Sequence, residues 1–248
     1  MLRPSFFKER ARRSLAGTWK NSVLTGFISF FTGGLGCFLP FCLCILYHVM
    51  ALLQPYFEYY NIHYHSYGQI LSLLSALYPF ALVYGIFIFL LGASIKIGTY
   101  NYFCELMLGH HVSVATLFSQ FSVFWKALAL KLVICIKITL WSCLFLIPGI
   151  IAAYRYHMAP YILADNNTTG ILEAIKLSSQ MMKRKKKKLF CLQLSFIGWF
   201  LLSILTFGIG FLWLLPYMQS SYAAFYIELS GQNKPFANYS DHNSPDFL

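Results

Sequence analysis

Long apolar runs alternate with short basic or amphipathic stretches along the whole chain. Val23 to Leu53 passes without a charged residue, longer than the ~20 residues that cross a ~30 Å hydrocarbon core. Gly33, Gly34, Gly36 and Pro40 offer places where that run bends or breaks. Ile70–Ile95, Leu128–Ile147, Leu189–Leu205 and Phe211–Leu229 are further apolar runs of helical length. Residues 3–20, 114–125 and 165–184 flank these runs and predict helices at the membrane face; the first and last combine apolar residues with Lys and Arg, and the second combines aromatic with small polar residues. In the first, Phe6, Phe7, Leu15 and Trp19 supply the apolar contacts. In the last, Thr168 or Thr169 is the expected N-cap, with Glu173 in the early turns.

Loop chemistry sets the expected topology. Residues 54–69 contain no Lys or Arg, hold Glu58, His63 and His65, and read as an external loop. Pro148-Gly149 reads as a helix break. The stretch after it admits two readings. Either residues 150–164 form a short return crossing carrying Arg155 and His157, or 128–163 is one long kinked helix. Placing the lysine run 183–188 inside favours the return crossing. The expected architecture is all-α: a polytopic bundle over residues 1–229, with spans at 23–50, 70–95, 128–147, 150–164, 189–205 and 211–229. Residues 230–248 are polar and read as a loosely ordered cytoplasmic tail, so both termini are expected in the cytoplasm.

Composition removes the soluble alternative. The chain is 58% hydrophobic and 11% charged, against about 45–50% and 25% in soluble domains. Nineteen Lys and Arg against eight Asp and Glu leave a net charge of +11. That charge clusters at Arg3, Lys8, Arg10, Arg12, Arg13 and Lys20, and again from Lys176 to Lys188. Arg10, Arg12, Arg13, Lys20, Lys183, Arg184, Lys185, Lys186, Lys187 and Lys188 are therefore candidate contacts for anionic lipid headgroups. Nucleic acid is not expected, because the run lies at the foot of an apolar segment.

Chemistry is sparse. No nucleophile elbow, zinc-protease helix, phosphate loop or calcium loop occurs. The seven cysteines (Cys37, Cys42, Cys44, Cys104, Cys135, Cys143, Cys191) form no CxxC pair, and neither metal nor other cofactor is expected. His63-x-His65 with Glu58 is a weak metal motif, and the solvated-loop reading outweighs it. His110-His111 reads as an interfacial turn. Lys137 stands out. It falls near the middle of an apolar span, roughly 15 Å from either end, and burial there costs about 2.5–3.5 kcal/mol unless it meets a partner or water. With Arg155, Glu105 and Asp165 it makes a candidate intramembrane polar site, Glu228 being a further possible partner. A structural ion pair or a snorkelling lysine is the competing reading.

Three times a basic or amphipathic segment leads into an apolar hairpin: Trp19-Lys20, Trp125-Lys126 and Lys187-Lys188 mark the junctions. Leu146-Ile147-Pro148 precedes Tyr154 as Leu214-Leu215-Pro216 precedes Tyr222, so three elbow-plus-hairpin units are expected.

The second half carries a family resemblance. Ile147-Pro-Gly-Ile-Ile151, Tyr161-Ile-Leu-Ala-Asp-Asn166, Glu173-Ala-Ile-Lys-Leu-Ser178 and Gln180-Met-Met-Lys183 carry it, with Leu194–Leu202, Gly208–Trp213 and Pro216-Tyr217. These stretches resemble the polytopic membrane proteins of Gram-positive bacteria grouped as domain of unknown function 975. Arg10-Ala-Arg12, Leu15 and Gly17-x-Trp19 are similar to that family's opening. Where the family has Gly-His and a Trp after Met-Met, this chain has lysines. The resemblance implies a six-helix protein of the bacterial plasma membrane and implies no activity. A more distant likeness is to the membrane domains attached to glycerophosphodiester phosphodiesterases. The expected function is non-enzymatic binding or movement of anionic lipid or another amphipath. The alternative is a scaffold or immunity-type partner of another envelope protein.

Overall fold

The computed structural model describes residues 4–32, 36–59 and 64–231. His63 and the tail from Gln232 lie outside them, as do the side chains of Glu58 and His65. Among the described residues there is no strand, in keeping with the all-α expectation. The helices are α1 Pro4–Leu15, α2 Trp19–Phe30, α3 Gly36–Tyr59, α4 Tyr64–Met107, α5 Phe124–Leu144, α6 Leu146–Tyr156, α7 Ala159–Asp165, α8 Ile171–Met181, α9 Lys186–Leu194, α10 Ile197–Leu205 and α11 Phe211–Ser230. Among the described residues, three segments are long and apolar enough to cross a membrane: Gly68–Met107, Val114–Leu144 and Lys186–Leu205.

The chain forms two compact units. The smaller holds residues 29–92: the last two residues of α2, all of α3 and the first part of α4. There the Tyr47 and Tyr78 rings lie 4.8 Å apart. Pro40 presses on Gly85, where an added Cβ would sit 3.2 Å away. The expected loop over 54–69 is mostly helix, since α3 runs on to Tyr59 and α4 starts at Tyr64. Polar residues at both helix ends continue the helical backbone, so polarity marks a change of surroundings and not the end of a helix.

The larger unit holds residues 1–28 and 93–248. Phe7, Ala11 and Leu15, one helical turn apart, are buried along α1. The Phe7 ring meets Phe225 of α11 edge-on at 5.3 Å. The helix thus spends its main apolar stripe on protein. Lys8 fixes the other side. Its Nζ donates to the Ser195 carbonyl at 2.6 Å, just past the end of α9, and sits 4.3 Å from the Phe196 ring centroid. A lysine there meets both the unpaired carbonyls and the negative pole of the helix. Desolvation at this contact pulls the Lys8 pKa down.

Two sharp hairpins are built alike. α5 stops at Leu144, Phe145 is extended at φ −159° and ψ 147°, and α6 packs straight back along α5. This excludes the single kinked helix over 128–163. The break falls before Pro148, not at it. Pro148 occupies the first turn of α6, where a missing N–H breaks no helical bond. Gly149 is where the helices nearly touch: a Cβ there would lie 2.9 Å from the Ser142 Cα. In the α10–α11 hairpin, Gly210 faces Ser203 with the corresponding distance 2.8 Å. Seven residues separate serine from glycine in both cases. Pro148 immediately precedes its glycine, whereas Pro216 lies six residues beyond Gly210, inside a continuous α11. Aligning the hairpins on their prolines therefore displaces them by seven residues, close to two helical turns.

Other spans are subdivided. The expected crossing at 150–164 is α6 plus α7, with Pro160 in the first turn of α7. The span at 189–205 is α9 plus α10, the former starting inside the lysine run. The interfacial helix over 114–125 is two tight 3-10 turns, Val114–Leu117 and Ser119–Val123. Gly98 of α4 receives them, since a Cβ there would lie 2.8 Å from the Leu117 Cα. The core sits at the bases of the hairpins, where Tyr102, Phe103, Leu117, Leu130, Met158, Leu163 and Phe196 are fully buried. The tips are bare: Leu144 is 63% and Phe207 99% exposed.

Gly149→Val should force α5 from α6 and cost about 1–3 kcal/mol by overpacking. Gly198, with nothing within 4 Å of an added Cβ, is the control. Thermal unfolding in mild detergent should show a clear loss for Gly149→Val and none for Gly198→Ala.

Candidate anion-binding site

Lys137 lies on α5, thirteen residues past its start and seven before its end. Side chains of a helix lean toward its N-terminus. Lys137 therefore reaches back toward the hairpin base, and its Nζ stops 5.7 Å from the centroid of the Tyr156 ring of α6. That distance is within the range of a cation–π attraction.

The third wall is α8. Its N-cap is Gly170, and neither threonine expected there takes that position. Thr168 instead turns back, donating its N–H at 3.1 Å and its hydroxyl at 2.6 Å to the Asn166 Oδ1. The Glu173 carboxylate accepts from the Gly170 N–H at 3.4 Å. So started, α8 buries Ala174, Ile175 and Ser178 as it packs on α5, α6 and α7, and Ser178 Oγ donates to the Arg155 carbonyl at 2.9 Å. The next stripe round the helix is Leu172, Lys176, Ser179 and Gln180. With Lys137 and Tyr156 it lines a cavity of about 310 Å³.

The four residues expected to form one polar site divide. Lys137 and Arg155 lie on the side of the hairpin that meets α8. Glu105 and Asp165 lie elsewhere, both near Cys104. Asp165 Oδ2 accepts from the Tyr226 hydroxyl of α11 at 3.0 Å. Glu105 contacts His110 across the turn at Gly109, whose φ is +85°. His110 and His111 are exposed. Among the described residues no group of His, Cys, Asp and Glu has the arrangement of a metal site.

The basic residues also divide. Arg12, Arg13 and Lys20 are exposed. Arg10 is not: it is buried on α1, within electrostatic reach of Glu228, and desolvation lowers its pKa while Glu228 opposes that shift. It is therefore turned away from headgroups. Lys183, Arg184 and Lys187 are exposed and Lys185, Lys186 and Lys188 half-buried, at a tight turn where Arg184 has φ 64°. A positive φ outside glycine costs energy. Here it lies in the short connection between α8 and α9.

Residues 143–233 match the family model described as Protein of unknown function (DUF975). The matched stretch runs from the end of α5 through α11 and supports the resemblance read from the sequence. It includes Tyr156, Lys176, Ser179 and Gln180 but starts after Lys137. No curated protein and no solved structure matches the chain.

The sequence alone marks Lys176 only as charge and does not single out Ser179 or Gln180. The signal it holds is their spacing: 172, 176, 179 and 180 fall on one face of a helix. The Asp165–Tyr226 bond has no local signal, since its partners come from distant helices. Tyr226→Phe removes a hydrogen bond to a charged group, so it should cost about 1.5–3 kcal/mol. Thermal unfolding of the variant in detergent measures that loss.

Proposed function

We infer that the protein is a non-enzymatic, multi-pass protein of the bacterial plasma membrane that binds or moves anionic lipid or another amphipath. The observation that carries this reading is the elbow between α8 and α9. It exposes Lys183, Arg184 and Lys187 at the foot of the apolar segment Lys186–Leu205. A cation beside an anionic leaflet contributes about 1 kcal/mol, so several together concentrate anionic lipid strongly. Arg12 and Arg13 of α1 and Lys20 of α2 add exposed positive charge. In this reading the two sharp hairpins sit in lipid, the bases and both termini face the cytoplasm, and the chain crosses six times.

Orientation and binding are tested separately. In a cysteine-free background, a cysteine replacing Phe145 should react with a membrane-impermeant maleimide added outside intact cells, and one replacing Arg184 should not. The reverse pattern overturns the orientation. Lipids retained through mild-detergent purification should be enriched in anionic species over the bulk membrane. Changing residues 183–188 to Gln should bring them back toward the bulk composition. A bulk-like profile in the unaltered protein, with a co-purifying envelope protein in fixed ratio, would favour the scaffold reading instead.

A further inference from the structure

We propose that the cleft between α5, α6 and α8 binds the phosphate headgroup of an anionic lipid, whose acyl chain lies along the exposed face of α5. This rests on the anionic-lipid reading and gives it a discrete site and a ligand class.

The argument starts from Lys137. α5 carries three lysines, and Lys137 is the one that stands in its apolar second half. An ammonium there needs compensation, and among the described residues no carboxylate pairs with it. Its described contact is the face of Tyr156, which attracts a cation but neutralises nothing. Lys176 reaches the same cavity from α8. The nearest acid along α8, Glu173, lies one turn earlier and accepts from the Gly170 N–H. The polar lining therefore consists of two ammonium groups, the hydroxyls of Ser179 and Tyr156 and an amide, with no carboxylate among them. This set can donate to several oxygens of one group at once, which suits a phosphate better than a single carboxylate. The cavity of about 310 Å³ is roughly ten times the share of one water in the liquid, so a phosphate with part of its glycerol fits.

The same face of α5 continues without charge. Leu140, Trp141 and Leu144 follow Lys137 at three, four and seven residues, so they stand in line with it. They are 71%, 43% and 63% exposed. Leu172 adds an apolar edge to the cavity itself, 69% exposed. A soluble phosphate would use the cations and leave this track bare. A phospholipid uses both.

The experiment measures binding to the purified full-length chain in a neutral detergent. The probes are dioctanoyl phosphatidic acid, dioctanoyl phosphatidylcholine and glycerol 3-phosphate. The variants are Lys137→Met, Lys137→Arg, Lys176→Gln and residues 183–188 changed to Gln. Lys176 is exposed, so its variant tests the site without loading the core. Phosphatidic acid should bind more tightly than either other probe. Lys137→Met and Lys176→Gln should each weaken it about tenfold, as expected for a lost charge-assisted bond. Lys137→Arg should retain most of it. Equal binding of glycerol 3-phosphate would overturn the lipid assignment, leaving a site for soluble phosphate. Binding unchanged in Lys137→Met and Lys176→Gln but lost in the 183–188 variant would overturn the cleft and leave the elbow reading intact. No preference for phosphatidic acid in any form of the protein would overturn both.

Discussion

Each of the two sharp hairpins depends on one point where a side chain is missing. At Gly149 and again at Gly210 the partner helix comes so close that a single Cβ would collide with the backbone of a serine. In lipid there is no hydrophobic force pressing helices together, because the surroundings are as apolar as the side chains. Close backbone approach and the dispersion contacts it allows must then hold the pair. Once α6 is fixed against α5, its far end delivers Tyr156 and Arg155 to the level of Lys137. Once α11 is fixed against α10, it carries Phe225 and Tyr226 to the base, where α1 and α7 meet them.

This division of labour explains where the polar groups sit. The hairpin turns are nearly all carbon and face outward. The bases combine tyrosines, serines and charged residues with one another. Lys137 belongs to the second class although its Cα lies nearer the hairpin turn. The backward lean of helical side chains moves its charge toward the base. The short helix α8 closes over it, and its amphipathic sequence thereby serves two surfaces, a dry one toward α6 and a basic one toward the cleft.

Much of the fold is legible in residue type and periodicity. The apolar runs and the reversal after α5 follow from them. The errors come from treating a residue's chemistry as if it fixed its position in a helix. Pro148 looks like a terminator because proline removes a hydrogen bond from a helix interior, yet the first turn of a helix accommodates it at no such loss. Thr168 looks like a cap, but Asn166 claims both of its donors. Arg10 looks like a headgroup ligand because basic residues surround it. Its register on α1 places it inside, one residue before Ala11 on the buried stripe. Lys137 is recognisably costly where it stands, but its neighbours on α8 are not foreseeable. Helix-to-helix placement is decided by packing across the fold and leaves no trace in a local window.

The contact of α1 with α9 and α11 has a bearing on how the chain is built. Lys8 and the Ser195 carbonyl are separated by 187 positions, and Phe225 lies further along still. During synthesis α1 is finished long before its partners exist, so its apolar stripe must wait, shielded by membrane or chaperone. The contact that joins the two ends of the larger unit can form only after α11 has been made. Assembly then finishes with a long-range closure, the kind of step that is slow and leaves partly folded chains open to quality control. Weakening Phe7 or Lys8 would thus be felt in the yield of mature protein before it was felt in its behaviour.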